Sequence, residues 1–103
     1  MSAYILSVIE VTNPGPRLKQ YSEESARLAH LHGGKYVVRG KPVKVPAGEL
    51  FAGKVMIMLE FPSMEKLNAF YTSDEYQKGC LPLREGTGIY DIAFFESPPP
   101  AAA

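Results

Sequence analysis

Val55-Met56-Ile57-Met58-Leu59 is apolar at every position. A strand turns successive side chains to opposite sides of a sheet. A strand with one dry side and one wet side therefore alternates apolar with polar residues. This stretch does not alternate, so both of its sides need cover. The same holds for most of Ala3-Tyr4-Ile5-Leu6-Ser7-Val8-Ile9 and Ile89-Tyr90-Asp91-Ile92-Ala93-Phe94-Phe95. Only two good helical stretches are available, enough to cover one side of such a sheet. The other side is expected to be covered by a second copy of the chain, as a homodimer through the open sheet face.

Working outward, residues 3–12 read as a strand, stopped by Asn13-Pro14-Gly15-Pro16, where the prolines cannot donate to a ladder. Pro16 suits the first turn of a helix. That helix reaches about His32, with Leu18, Tyr21, Ser25, Leu28 and His32 on its buried line. Gly33-Gly34 ends it, and residues 35–39 form a short strand. Gly40 to Gly53 reads as an extended arm or hairpin, with a short strand at Pro42-Val43-Lys44-Val45. Lys54–Phe61 is the most strand-like segment. Ser63 caps a second helix with the stripe Met64, Leu67, Phe70 and Tyr71. Ser73 caps a shorter one that starts at Asp74-Glu75 and closes at Gly79, and 87–96 is the last strand. The order βαββαβ makes the split βαβ unit. The expected fold class is α+β: a ferredoxin-like four-stranded antiparallel sheet with helices on one face.

The chain suits a single domain, residues 1–97, followed by a Pro/Ala tail, 98–103, expected to be poorly ordered. Acidic and basic residues number 11 each, so no net field draws the chain to nucleic acid or to anionic lipid. No apolar run is long enough to span a bilayer, and neither nucleic acid nor membrane is expected as a partner. The one cysteine, Cys80, fits a reducing compartment, and a cytoplasmic location is expected. The two histidines, His30 and His32, stand two apart on a helix and point different ways, so no metal site is expected. No dinucleotide or phosphate-loop pattern is present. Gly33-Gly34 precedes a strand rather than a helix. No cofactor is expected.

Several segments together resemble the family called domain of unknown function 1330. They are Ala3-Tyr4 with Ile9-Glu10-Val11-Thr12, and His32-Gly33-Gly34-Lys35-Tyr36-Val37-Val38-Arg39-Gly40. Leu59-Glu60-Phe61-Pro62-Ser63, Phe70-Tyr71 and Ser73-Asp74-Glu75-Tyr76-Gln77 complete the set. The resemblance implies the dimeric α+β barrel arrangement, two ferredoxin-like sheets packed face to face. The wider superfamily includes small-molecule monooxygenases, isomerases, haem-degrading enzymes and plain binding proteins, and a shared fold does not choose among them.

The residues that could carry chemistry are few. His32, at the end of the first helix, is either a proton shuttle and ligand donor or a partner for the last helix carbonyls. Arg39 either holds a carboxylate in two-pronged fashion or pairs with Glu10, Glu60 or Glu96. Glu10, Glu60 and Asp91 interrupt apolar strands, where an unpartnered carboxylate is costly. Glu10 and Glu60 are each either a ligand contact or an internal partner, and Asp91 either acts as a base or orients a ligand between the two sheets or is a dimer contact pairing with Arg or Tyr. Tyr36, Tyr71 and Tyr76 offer phenols, Tyr71 with its hydroxyl toward a rim. The site residues expected are therefore His32 as catalyst and Arg39, Tyr71, Tyr36, Glu60 and Asp91 as ligand contacts. They would serve a pocket between helices and sheet that takes a small apolar or carboxylate-bearing ligand. The chemistry would be cofactor-independent proton transfer, isomerisation or monooxygenation. The alternatives are a non-catalytic binding or stress-related dimer and a structural module without a ligand.

Overall fold

Apolar strands and amphipathic helices alternate as the pattern predicts. The computed structural model describes residues 1–97; the tail 98–103 lies outside the described residues. The elements are β1 (Ala3–Val11), α1 (Pro16–Leu31), β2 (Lys35–Gly40), β3 (Val55–Phe61), α2 (Met64–Tyr71) and β4 (Gly88–Glu96). A π-helical stretch, Glu75–Cys80, and a last turn, α3 (Leu81–Arg84), lie between α2 and β4. The four strands form one antiparallel sheet in the order β2-β3-β1-β4. No helix among the described residues is long and apolar enough to cross a membrane.

The two sides of the sheet differ. Ala3, Ile5, Leu59 and Phe61 face the helices and join Leu28, Ala29, Leu67 and Phe70 in one buried core. Full burial of a side chain such as Phe61, Leu28 or Leu67 contributes about 1.5–3 kcal/mol. On the opposite side Tyr4, Leu6, Met58 and Phe95 border a shallow depression with no polar lining. Phe95 is 50% exposed there, and Ile89 is 57% exposed. The register puts Gly40, Met56, Val8 and Asp91 in one row across this bare side, with Val38, Met58, Leu6 and Ala93 in the next.

Local signals explain the helix ends. Ser63 accepts a hydrogen bond from the Lys66 backbone N–H at 3.2 Å, the expected cap. Gly33 takes φ +84°, a conformation that favours glycine. The backbone N–H groups of His32, Gly33 and Gly34 then serve the carbonyls of Leu28, Ala29 and His30. The His32 ring is not needed for that task.

Two expectations are corrected. Residues 42–45 form no strand; the whole arm, 41–54, consists of turns and irregular chain. Pro42 and Pro46 lack the N–H groups that a ladder would require. Nor does the second short helix close at Gly79: the chain continues through wide turns, with Leu81 N–H bonded to the Tyr76 carbonyl, into α3. Pro82 cannot donate to the Lys78 carbonyl, and the five-residue spacing upstream accommodates that loss.

Gly34 lies against Phe61. A Cβ there would stand 2.7 Å and 2.8 Å from two ring carbons and 3.0 Å from the Ala29 carbonyl oxygen. Phe61 is fully buried and has no room to retreat. Gly34→Ala is expected to destabilise the fold by about 1–3 kcal/mol, read as a lower urea midpoint at unchanged slope.

Candidate functional site

Tyrosines converge between the helix layer and the sheet. Strand alternation turns Tyr36 on β2 and Tyr90 on β4 toward the helices, in the same sense as Ile5, Ile57 and Ile92. Helical spacing brings Tyr21 from α1 and Tyr71 from α2 over them, and the π-helical stretch supplies Tyr76. Together with Arg39, Ser7, Ser22 and Ser25 these residues line a cavity of about 50 Å³. That is room for roughly three or four waters, so the space suits a ligand of few atoms.

The hydroxyls form a connected set. Tyr21 and Tyr76 share a hydrogen bond at 2.7 Å, and Arg84 Nη1 reaches Tyr76 Oη at 3.5 Å. The Arg84 guanidinium lies 4.9 Å above the Tyr90 ring, while Tyr90 Oη contacts Thr87 Oγ1 at 2.7 Å. The Tyr71 and Tyr76 rings pack at 4.9 Å, tilted by 36°, and Tyr71 meets Phe94 edge-on at 5.2 Å. Burial pushes the phenol pKa of both Tyr21 and Tyr76 above the ordinary value. At neutral pH both are therefore hydrogen-bonding groups rather than bases.

Arg39 holds a different position. Its guanidinium sits 4.6 Å over the Tyr36 ring, and the side chain is exposed. Among the described residues no carboxylate lies within ion-pair distance of it, so the pairings with Glu10, Glu60 or Glu96 do not form in the chain. Arg39 also lines two adjoining spaces, a groove of about 380 Å³ under the arm and a cleft beside Leu18 and Val55. It stands where the cavity meets the surface.

The other expected site residues lie elsewhere. His32 is not among the lining residues; its ring packs edge-on against Phe70 at 6.1 Å. Glu60 is on the bare side of the sheet, where Tyr4 Oη donates to it at 2.9 Å and Lys35 Nζ lies at 3.4 Å. The Tyr4 hydrogen bond, foremost, holds its carboxyl below the usual range. Asp91 is exposed on the same bare side, next to buried Val8. The structure thus brings Tyr36, Arg39 and Tyr71 together and leaves His32, Glu60 and Asp91 outside the cavity. Tyr21, Tyr90 and Arg84 complete the arrangement without having been singled out. Tyr21 was legible as part of a buried helix line and Tyr90 through alternation with Ile92. Arg84, in an irregular segment, had no periodic signal.

Cys80 belongs to the core, and burial pushes its thiol up, which disfavours the reactive thiolate. Among the described residues no group of three or more His, Cys, Asp or Glu side chains converges.

The tyrosine pair sets a pH dependence. Below the ordinary phenol range, near pH 10, folded and unfolded chains both hold these protons. Above it the unfolded chain ionises first, because the folded pKa is raised, and stability falls as pH rises. Urea unfolding above about pH 10 is expected to show this loss. Tyr76→Phe should flatten the alkaline slope while costing about 1–2 kcal/mol at neutral pH through the lost hydrogen bond.

Solved structures share the architecture. A protein of unknown function from Rhodopseudomonas palustris, RPA0582, superimposes with a TM-score of 0.73 at 14% identity, over 96% of this chain and 84% of that one. Its methylated form gives 0.72 at 15% identity, over 97% and 83%. A NIPSNAP family protein from Agrobacterium tumefaciens gives 0.56 at 11% identity, over 93% and 92%. At such identities the likeness is one of fold. No curated protein matches the sequence. The pattern of the family described as domain of unknown function (DUF1330) matches residues 2–98, nearly the whole length, and the chain is a member of that family.

Proposed function

We propose that this protein is a homodimeric binder of a small carboxylate- or carbonyl-bearing molecule, held in the cavity between helices and sheet. The observation that carries the reading is Arg39. It is a guanidinium at the cavity edge, stacked on Tyr36, with no carboxylate partner among the described residues. A guanidinium offers a planar fork to a carboxylate, and stacking on a ring fixes its orientation. Rings and aliphatic side chains supply the remaining walls, and Ser22, Ser25 and Tyr71 offer further hydrogen bonds. Few polar groups within an apolar lining is the usual composition of a binding pocket.

Binding is favoured over turnover by what the lining contains. It has no histidine, carboxylate, lysine or cysteine, and its two coupled phenols stay protonated at neutral pH. Proton abstraction would therefore need a base from outside the cavity, such as His32 after movement of Phe70. The Tyr21–Tyr76 pair supports a narrower catalytic version. In it a phenol donates to an oxyanion forming on an already acidic substrate, as an isomerisation or an oxygen-dependent oxidation would require.

The dimer follows from the bare apolar side of the sheet. Phe95 and Ile89 are at least half exposed there, beside Tyr4, Leu6 and Met58. Sedimentation at micromolar concentration is expected to give a dimer, and a clean monomer would remove this part of the reading.

Ligand binding is tested by NMR with a series of short mono- and dicarboxylates and 2-oxo acids, following the ring signals of Tyr36 and Tyr71. Arg39→Ala is expected to weaken the best ligand by about 1.5–3 kcal/mol, roughly ten- to a hundredfold. Arg39→Lys should recover only part, since it keeps the charge and loses the fork. If no member of the series moves the cavity tyrosines, the binding assignment fails.

A further inference from the structure

Arg84 is a second guanidinium against the cavity lining, and nothing above gives it a task. It is half-buried, and among the described residues it makes no ion pair. The polar groups it approaches are phenols: Nη1 reaches Tyr76 Oη at 3.5 Å, the outer limit of a hydrogen bond, and Tyr21 and Tyr71 are close by. Tyr21 and Tyr76 are protonated at neutral pH, so neither balances the cation. Their hydroxyls also carry a proton too many. The bond between them uses one of two O–H groups, and Arg84 is itself a donor that accepts neither. One phenol proton therefore has no acceptor among the described residues. A half-buried charge without a partner is costly, and donors in surplus suit an acceptor-rich anion such as a carboxylate.

Arg39 and Arg84 occupy matching places. β2 and β4 are the two edges of the sheet. Arg39 lies 4.6 Å over the Tyr36 ring on β2, and Arg84 lies 4.9 Å over the Tyr90 ring on β4. The register sets Arg39, Ile57, Ser7 and Ile92 in one row across the strands, and all four line the cavity. Tyr90, also in the lining, stands two positions from Ile92 and so on the same side. The cavity floor thus runs from one edge strand to the other, about 14 Å at the usual strand spacing. The adjoining cleft, about 270 Å³, is lined by Arg39 and Tyr90 as well. Together the two spaces have room for a chain of several atoms along that row.

We propose that Arg84, with the hydroxyls of Tyr21 and Tyr76, is a second anion site, and that the ligand is a short α,ω-dicarboxylate held by Arg39 at one end and by Arg84 at the other. This rests on the carboxylate-binding reading above. It adds the second charge of the ligand, the residues that take it and the direction in which the ligand lies. The unspent phenol proton and the guanidinium N–H groups supply donors to the far carboxylate. Ile9, Ile57 and Ile92 supply apolar walls for the methylene chain between the two ends. A monoanion of the same length leaves one of the two cations without a partner, so the site discriminates by charge count as well as by shape.

The test titrates the unaltered protein with unbranched α,ω-dicarboxylates from succinate to suberate, each beside its own monomethyl ester. Binding is followed by NMR on the rings of Tyr36 and Tyr71 and on the Arg84 side-chain N–H signal. The best diacid is expected to bind at least about tenfold more tightly than its ester. Arg84→Gln keeps N–H donors and loses the charge. It is expected to bring the diacid down to the level of the ester and to leave the ester nearly unchanged. Circular dichroism verifies that the variant is folded, and the comparison of diacid with ester in the unaltered chain stands without it. Equal binding of diacid and ester, or an equal loss for both in Arg84→Gln, would overturn the second anion site and leave Arg39 as the single one. A series in which neither acids nor esters move the cavity tyrosines would instead remove the binding reading on which the inference stands.

Discussion

A sheet that is apolar on both sides, with helices on one side only, is the constraint on which this molecule depends. In β3 alternation divides the load: Ile57 and Leu59 turn to the helices, while Met56 and Met58 turn away. The helix side closes around Phe61, Leu28 and Leu67, all buried. Among the described residues no second layer of the chain lies over Tyr4, Leu6, Met58 and Phe95, which border an open depression. Methionine at such positions has a physical logic, since its flexible thioether adapts to an incoming surface. The need for cover on that side follows from the imbalance.

The cavity on the helix side has a related origin. Large rings fill space in coarse units, and their hydroxyls need partners when buried. Tyr21 and Tyr76 satisfy each other, and Tyr90 turns to Thr87. No buried side-chain nitrogen or oxygen among the described residues lacks a hydrogen bond. A small space lined by rings and a few polar groups remains between them. Arg39 stands at its edge because β2 carries an irregularity between Tyr36 and Val38. The extra residue puts Tyr36 and Arg39, three apart, on the same side of the strand.

Much of the fold was legible. Apolar runs bounded by turn residues located all four strands and helical spacing both main helices, and the Ser63 cap and the Gly33 stop stand where expected. The misreadings share a cause. Residues 42–45 carry strand-like valines, yet their flanking prolines leave them no ladder to join. Gly79 has the form of a helix stop, but Pro82 downstream changed the turn instead. The site was legible in part: Tyr36, Arg39 and Tyr71 converge, whereas His32 sits behind Phe70 and Glu60 and Asp91 face the bare side. A strand position tells which side a residue takes only when the register is known. One bulge in β2 was enough to move Arg39.

By itself the sequence determined the α+β class, the strand and helix order and the need for cover on a second side, because these depend on local periodicity and on apolar count. Only the tertiary structure decided which hydroxyls meet and where the cavity lies. It also decided that among the described residues Arg39 stands free of Glu10, Glu60 and Glu96, and that Gly40 and Asp91 stand at opposite ends of one row of the sheet. These depend on pairings between residues as distant along the chain as Tyr21 and Tyr76 or Gly40 and Met56. Their relative placement is set by strand register and helix packing, which no local pattern encodes.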